Sequence, residues 1–259
     1  AGFLARYLHY LWFVGAAKKW AKHWVNQAAI DQVGLSRYRI PLPPLPEQQR
    51  IVTILRKADD LRRLRRQANV RASELLPALF HEMFGQHVVQ QQNWTLKPLS
   101  QFGDVAYGLT VNQERNKFRQ KIPYLRVANV QRWKLDLREV AEIGVSGGDI
   151  ERFGLQTGDL LIVEGHADPT EIGRAAVWSG ELSQCLHQNH LLRIRPHPDR
   201  ATSTFLMGYI NSIQGRQHML RYSKTSSGLN TINSSVLANM PVPDVPHSLQ
   251  IDFENRFRV

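Results

Sequence analysis

The chain contains an internal repeat, in which its last segment follows the pattern of its first about two hundred residues later. Residues 40–51 align position for position with residues 240–251, and both segments alternate proline with apolar residues. Upstream, residues 3–8 align with residues 205–210. Solenoid repeats are only about 20 to 50 residues long, so this period indicates a duplicated domain. We therefore expect the tail of a first unit, a connector, a complete second unit and the opening of a second connector, with both ends cut from a longer sequence.

Composition and charge restrict the class of protein. The 259 residues are 42% hydrophobic, which is enough for a real core. Lys and Arg total 33 against 22 Asp and Glu, a net charge of +11 that favours polyanionic partners, nucleic acid before anionic membrane. A basic protein without such a partner remains the alternative. The single cysteine, Cys185, fits a reducing cytosol and a cytoplasmic location. No apolar run reaches the roughly 20 residues that span a bilayer.

A long helix is predicted between residues 46 and 85. From residue 47 onward apolar residues recur at alternating steps of three and four, which is the seam of a coiled coil, and Gly85 ends the pattern. Pro77 is expected to kink or divide it. Its basic residues could follow a phosphate backbone or a partner's acidic groove, or could form a solvated face beside the seam. They are Arg50, Arg56, Lys57, Arg62, Arg63, Arg65, Arg66 and Arg71.

Beyond residue 94 the pattern changes to short apolar runs separated by Gly, Pro and Asn. Strands are predicted at 121–130, 159–164, 173–178 and 188–194. Helices are predicted at 204–212 and 214–222, and one or two more between residues 3 and 24. The fold class is therefore α+β: one mixed domain attached to a long coiled-coil-forming helix.

Catalytic and metal sites receive little support from the sequence. Asp159 and Glu164 bracket an apolar strand as in many metal-dependent nucleases, but Gly165 and His166 follow where such sites carry a lysine. Asp159 is favoured as a turn cap and Glu164 as a strand end. Cys185 is favoured as a small core residue, because its spacing to nearby histidines matches no zinc pattern. No phosphate-binding loop or catalytic triad stands out, so no catalytic residue, metal site or cofactor is expected.

Four polar clusters fall at predicted loops or strand ends. Their side chains are of the kinds that contact phosphates and read base edges, and we interpret them as DNA contacts. Any one cluster alone is more often a solvated loop, but several in a basic domain favour nucleic acid. The candidates are Arg115, Lys117, Arg119 and Lys121; Arg126, Asn129 and Arg132; His166, Thr170 and Arg174; and Lys224, Ser226, Ser227 and Asn230.

Several motifs resemble those of one known family. They are IPLPPLPEQQRIV at 40–52, IPYLRVANV at 122–130, GDLLI at 158–162, IGR at 172–174, Asn189-His190, and SSG at 226–228 with Ile232. Together they span nearly the whole chain, and the Pro-rich junction at 40–52 is the most specific of them. The chain resembles the specificity subunits of type I restriction-modification enzymes.

This resemblance implies a domain plan. Residues 1–45 would be the tail of a first target-recognition domain, 46–85 a long conserved helix, 94–246 a target-recognition domain that reads one half of a bipartite site, and 247–259 the start of a second conserved helix. Asn189 joins the DNA-contacting candidates. In the family the two helices pair antiparallel. Because the second stops near residue 259, we expect the first to lack its intramolecular partner.

The resemblance also implies function and partners. The chain would be a non-catalytic subunit that binds double-stranded DNA sequence-specifically and docks methyltransferase subunits, and through them the restriction subunit. Self-association through the long helix is expected, with Trp12, Phe13 and Trp24 exposed or docked on another copy. The alternative is a metal-dependent nuclease or the recognition end of a fused DNA methyltransferase. A third reading is a coiled-coil scaffold.

Overall fold

A computed structural model describes residues 2–24, 27–36, 39–226 and 228–257. The chain divides into two compact units, Ala1–Arg71 and Ala72–Val259, here called unit 1 and unit 2. The boundary falls inside the long helix. Within the described ranges no helix is both long and apolar enough to cross a membrane.

Unit 1 consists of short elements followed by the first part of the long helix. Helix α1 (Gly2–Phe13) ends before Gly15, which takes a left-handed φ of 73°, and a short 3₁₀ helix follows. Strands β1 (Lys22–Trp24) and β2 (Gln27–Ala29) then form an antiparallel hairpin, before helix α2 (Gln32–Ser36). The predicted helices between residues 3 and 24 are therefore wrong beyond residue 20. The side chain of Trp24 lies outside the described part.

Helix α3 (Leu45–Phe84) is one continuous helix of 40 residues, about 60 Å long at 1.5 Å per residue. Pro77 lies inside it without dividing it, so the predicted division at that residue is wrong. The apolar stripe predicted for the coiled coil faces solvent over much of its length, with Leu61 68%, Leu64 52% and Leu75 67% exposed. Trp12 and Phe13 of α1 are also exposed, as predicted.

Unit 2 combines helices with short strands, which confirms the α+β prediction. Its further helices are α4 (Gln86–Gln91), α5 (Asp149–Phe153), α6 (Ser203–Asn211), α7 (Ile213–Tyr222), α8 (Ser234–Ala238) and α9 (His247–Phe257). Its strands are β3 (Leu96–Pro98), β4 (Gly103–Tyr107), β5 (Lys121–Leu125), β6 (Val130–Gln131), β7 (Lys134–Leu135), β8 (Ala141–Gly144), β9 (Leu160–Val163), β10 (Gly165–His166), β11 (Ala175–Val177), β12 (Leu186–His187), β13 (Leu191–Pro196), β14 (Lys224–Ser226), β15 (Leu229–Thr231) and β16 (Pro241–Pro243).

The central sheet of unit 2 is antiparallel, in the order β11-β9-β13-β4. A second sheet, β12-β5-β8, pairs β12 parallel to β5. A third, β10-β15-β14, continues from the end of β9. The predicted strand at 188–194 is displaced: residues 188–190 form a connection, and β13 begins at Leu191 because that residue pairs with Val163.

The main core of unit 2 includes the end of α3. Phe80 and Phe84 are 2% exposed and pack with Phe205 of α6 and Phe253 of α9, with ring centroids 5.1 to 6.0 Å apart. The expectation that α3 lacks any intramolecular partner is therefore wrong for its last turns, because α9 contacts them. The aromatic residues at 80 and 84 are one helical turn apart, and thus share a face.

Candidate nucleic-acid interface

Strand ends from two sheets meet along one edge of unit 2, which we call the strand-end rim: residues 107–110, 164–166 and 188–190. Backbone hydrogen bonds connect these three segments. Leu109 bridges to Gln188, and the Asn189 amide donates to the Leu109 carbonyl at 3.0 Å. The Glu164 amide donates to the His190 carbonyl at 3.1 Å. Side chains on this edge therefore project from a backbone that is held on both sides, as base reading requires.

A hairpin made by β14 and β15 extends the rim. His166 of β10 pairs with Asn230 of β15, and the Asn230 amide donates to the Ala167 carbonyl at 3.2 Å. The Asn230 oxygen accepts from the Thr225 hydroxyl at 2.7 Å. Asn230 thus holds the hairpin in place, while Lys224 is exposed. The side chain of Ser226 and all of Ser227, also predicted here, lie outside the described residues.

Asn189 has the most suitable environment of the predicted base readers. Its backbone is fixed by the bond to Leu109, and its side chain is half-buried. Among the described residues, no hydrogen bond to that side-chain amide is found. A rigid asparagine with both amide groups available can make the bidentate contact to adenine.

Three rim residues were missed by sequence reasoning. Tyr107 is 40% exposed, and its hydroxyl accepts from the Ser234 amide at 3.0 Å. Gln188 lies beside Asn189, and His190 contacts the Glu164 carboxylate through Nδ1 at 3.0 Å. The polar triplet 188–190 between two apolar runs could have indicated a connection between two strands. It was instead assigned to a strand.

Asn129 does not belong to a DNA-reading surface, which corrects its prediction. It is only 3% exposed. Its amide donates to the carbonyls of Asp136 at 2.8 Å and Glu139 at 2.9 Å, and its oxygen accepts from the Arg126 amide at 2.9 Å. These three bonds close the loop that follows β5. Arg126 lies beside it, half-buried at the edge of a cavity of about 390 Å³.

The basic loop at 112–121 has mixed environments. Arg115 forms a salt bridge of 2.5 Å with Asp149 and is 17% exposed, so it closes the loop instead of facing a ligand. Burial opposes ionisation of Asp149, but bonds from Arg115 and Ser146 outweigh it and lower the carboxyl pKa. Lys117 is exposed and pairs with Glu114 at 2.6 Å.

Arg119 and Lys121 are exposed, but at the far end of β5 from Arg126. Lys121 begins β5 and Arg126 directly follows it, so five steps along an extended backbone separate them by roughly 16 Å. The first two predicted clusters therefore occupy opposite ends of one strand.

The third cluster is built around the 3₁₀ turn at residues 169–171. Asp168 caps this turn, and its carboxylate accepts from both the amide and the hydroxyl of Thr170 at 2.8 Å. Arg174 is buried, donating to Glu171 at 2.8 Å and to the Val127 carbonyl at 3.2 Å. Arg132 donates to the Thr170 carbonyl. Only Thr170 of the three predicted side chains is fully exposed.

The residues weighed for catalysis lie in separate places. Asp159 is 1% exposed, caps the turn through the Gln156 amide at 2.8 Å and forms a bidentate pair with Arg195 at 2.8 Å. Glu164 directly follows β9 on the rim. The readings of Asp159 as a turn cap and Glu164 as a strand end are confirmed. Within the described residues, no three His, Cys, Asp or Glu side chains are grouped as a metal site would need.

Cys185 and His187 belong to the interior. Burial raises the pKa of the Cys185 thiol to about 12, and the side chain is 3% exposed, which confirms the prediction of a core residue. Burial, and then the nearby Arg193 charge, lowers the pKa of His187 to about 4. His187 is therefore neutral at pH 7, and its Nδ1–H donates a hydrogen bond to the Phe153 carbonyl at 3.2 Å.

The positive charge is distributed very unevenly. Residues 1–71 carry 14 Lys and Arg against four Asp and Glu, a net charge of +10, whereas residues 72–259 carry 19 against 18, a net charge of +1. Half of the excess lies on the first part of α3, where residues 45–71 carry eight Lys and Arg against three Asp and Glu. There Arg50 pairs with Glu47 at 2.9 Å and Arg63 with Asp60 at 3.4 Å. The rim is thus polar but belongs to a nearly neutral unit.

Comparison with known proteins gives consistent matches. Residues 4–71 match the family model for the type I restriction modification DNA specificity domain. A putative type I restriction enzyme MjaX specificity subunit from Methanocaldococcus jannaschii is 24% identical over 174 residues, covering 63% of this chain and 40% of that protein.

Two solved structures share the fold. A chain of the type I R-M system, from a study of its complex assembly and conformational transition, is 21% identical with a TM-score of 0.54, over 85% of this chain and 52% of that one. The type I restriction-modification system S subunit from M. genitalium is 11% identical with a TM-score of 0.52, over 93% and 62%. The chain thus spans between 40% and 62% of the length of these relatives. In motifs, sequence and fold, the chain is similar to the specificity subunits of type I restriction-modification enzymes.

Proposed function

We propose that this chain binds double-stranded DNA sequence-specifically as part of a type I restriction-modification specificity subunit, with unit 2 reading one half of a bipartite target. The observation that carries this proposal is the strand-end rim. It presents Asn189, Gln188, Tyr107 and the hairpin of Lys224 from a backbone locked by hydrogen bonds between strands. Rigid polar side chains on strand ends are suited to reading base edges.

Specificity and affinity would come from different units. Affinity for any duplex depends on phosphate neutralisation and counterion release, which a unit of net charge +1 supplies poorly. The exposed arginines of α3 in unit 1 supply it better, because they are densely spaced and few carboxylates pair with them. We therefore assign phosphate contacts mainly to α3 and base reading to the rim.

The partners proposed for the chain are methyltransferase subunits and, through them, a restriction subunit. The exposed apolar stripe of α3, with Leu61 and Leu64, supports a protein partner or a second copy on this helix, because such a seam is stable only when covered. The chemistry of methylation and cleavage would belong to those partners.

The rim assignment is tested with Asn189→Ala. A preferred duplex is first selected from random sequences with the full chain, and affinities are then measured by fluorescence anisotropy on that duplex and on a scrambled one. We expect Asn189→Ala to lose about 1 to 3 kcal/mol on the selected duplex and almost nothing on the scrambled one. Asn239→Ala is the control, since that exposed amide bonds only within α8 and its cap, to the Ser235 carbonyl. Equal losses on both duplexes would refute base reading by Asn189.

The division between units is tested by the salt dependence of binding. Arg62→Gln with Arg66→Gln removes two neighbouring charges from α3, and the slope of log K against log salt should fall by about two. The matched variant, Arg152→Gln with Arg200→Gln, removes two exposed charges from unit 2 and should leave the slope unchanged. The opposite pattern would place the phosphate contacts in unit 2.

A further inference from the structure

Arg132, Arg174 and Arg216 of unit 2 lie close together, and the carboxylates beside them do not balance their positive charge. The nearest charges to Arg132 are Arg216, Glu171 and Arg174. The single carboxylate among them, Glu171, is already bound by Arg174 at 2.8 Å. Burial and then Arg216 lower the pKa of Arg132, so the protein holds this guanidinium in an unfavourable place. A half-buried cluster of like charges costs stability unless an anion compensates it.

Arg132 also has an unused donor. One terminal nitrogen donates to the Thr170 carbonyl, but the other, Nη1, is buried and has no hydrogen-bond partner among the described residues. Leaving a buried charged donor unpaired destabilises the folded state. An acceptor at this point would therefore be bound favourably.

Arg132 and Arg216 line the same cavity, whose volume is about 190 Å³. A water molecule occupies roughly 30 Å³, so the cavity has room for a small oxyanion with some of its water. Pro77 and His81 of α3 form another part of its wall.

The first turn of α7 completes the cavity. Ser212 caps the helix by accepting from the Gly215 amide at 3.3 Å, which leaves the amides of Ile213 and Gln214 without an intrahelical acceptor. Both residues line the cavity. Free first-turn amides and the positive end of the helix dipole favour an anion.

We propose that this cavity is a binding site for a phosphate-type oxyanion, held by Arg132, Arg216 and the first-turn amides of α7. The inference stands on its own, because it needs neither DNA nor a partner subunit. The oxyanion could be free inorganic phosphate or a phosphodiester of bound DNA, which offer the same oxygens to the same donors.

The site is tested with the full chain and inorganic phosphate. Thermal unfolding is followed in phosphate and in chloride at equal ionic strength, and the phosphate Kd is measured by calorimetry. Phosphate should raise the Tm by about 2 to 4 °C at saturating concentration. Arg216→Gln should weaken phosphate binding at least tenfold, while its Tm in chloride stays equal to or above that of the wild type, because repulsion with Arg132 is relieved.

The matched control is Arg221→Gln, on the same helix but outside this cavity, which should bind phosphate like the wild type. No phosphate-specific rise in Tm, or equal phosphate binding by both variants, would overturn the proposal. If saturating duplex abolishes phosphate binding and Arg216→Gln lowers the salt slope by about one, the oxyanion is a DNA phosphodiester. If duplex changes neither, it is free phosphate. A chain that binds phosphate but no DNA would refute only the proposed function.

Discussion

The two copies of the repeat form the same kind of helix in very different surroundings. In unit 2, Phe205, Leu206 and Ile210 of α6 are completely buried. The aligned residues of α1 in unit 1 are Phe3, Leu4 and Leu8, of which Leu4 is 43% exposed and the other two are half-buried. Sequence pattern therefore determines the helix, whereas burial depends on what the rest of the unit offers.

One aligned position shows the cause. Gly208 of α6 lies so close to α3 that a β-carbon there would come within 2.3 Å of the Phe80 ring. Its counterpart in α1 is Arg6, which forms an ion pair with Asp59 of α3. In unit 2 the helix contacts its neighbour through a glycine and an aromatic cluster, and in unit 1 through a partly exposed charge pair. Close packing stabilises the contact in unit 2, whereas a partly exposed ion pair such as that in unit 1 contributes little to the free energy of unfolding.

The strongest test of this difference is to exchange the residues at the two aligned positions, 208 and 6. Gly208→Arg should unfold unit 2, because overpacking and an unpaired buried charge together cost about 4 to 8 kcal/mol, as much as a typical domain's stability. Arg6→Gly should cost only about 1 kcal/mol, from the ion pair and helix propensity. Urea unfolding followed by circular dichroism measures both. Similar losses for the two variants would show that the helices are equally buried.

A second comparison removes one aromatic ring from each copy. Phe205→Ala should cost about 3 to 5 kcal/mol, because the side chain is fully buried between Phe80 and Phe84. Phe3→Ala should cost less than about 1 kcal/mol, since Phe3 is half-buried and stacks on Tyr7, with centroids 6.2 Å apart. Chemical denaturation of each variant decides. A large loss for Phe3→Ala would mean that α1 is a core element of its own unit.

Local sequence patterns were sufficient for the long helix, for α6 and α7, and for β9. Each of these has a period or a capping residue that marks it, such as Ser212 before α7. The strands β10, β14 and β15 were not predicted, because they are only two or three residues long and because β10 pairs with β15 across more than sixty residues of chain.

The candidate site was harder to predict than the fold. Asn129 was chosen by residue type and Asn189 through the family resemblance, but one amide closes a loop and the other faces the rim. Only tertiary contacts separate them. Arg115 and Arg174 were likewise chosen for their charge, yet each is tied to a carboxylate. A formal charge of +11 suggested a basic recognition domain, whereas most of that charge lies on unit 1.

The comparison between units extends to pH. Every buried polar side chain among the described residues lies in unit 2, including His187, whose pKa is lowered to about 4. Between pH 6.5 and 4 the unfolded chain binds a proton at this residue and the folded one does not. The contribution of neutral His187 to stability is therefore fully present above pH 6.5, and about 3 kcal/mol of it is lost as the pH drops to 4. His187→Asn keeps a donor for the Phe153 carbonyl but cannot titrate, so the variant should lose this part of the pH dependence of stability. Parallel stability curves for variant and wild type would contradict the assignment.

The smallest effect on stability is expected on the exposed stripe of α3. Leu61→Asp with Leu64→Asp should change the free energy of unfolding by less than about 0.5 kcal/mol per residue in a monomer, because both side chains are more than half exposed. The same pair should abolish self-association measured by light scattering, because a carboxylate cannot be buried in a coiled-coil seam. Val111→Asp, at an exposed apolar residue of unit 2, should leave association unchanged. A wild-type chain that is already monomeric at high micromolar concentration would contradict self-association through this stripe.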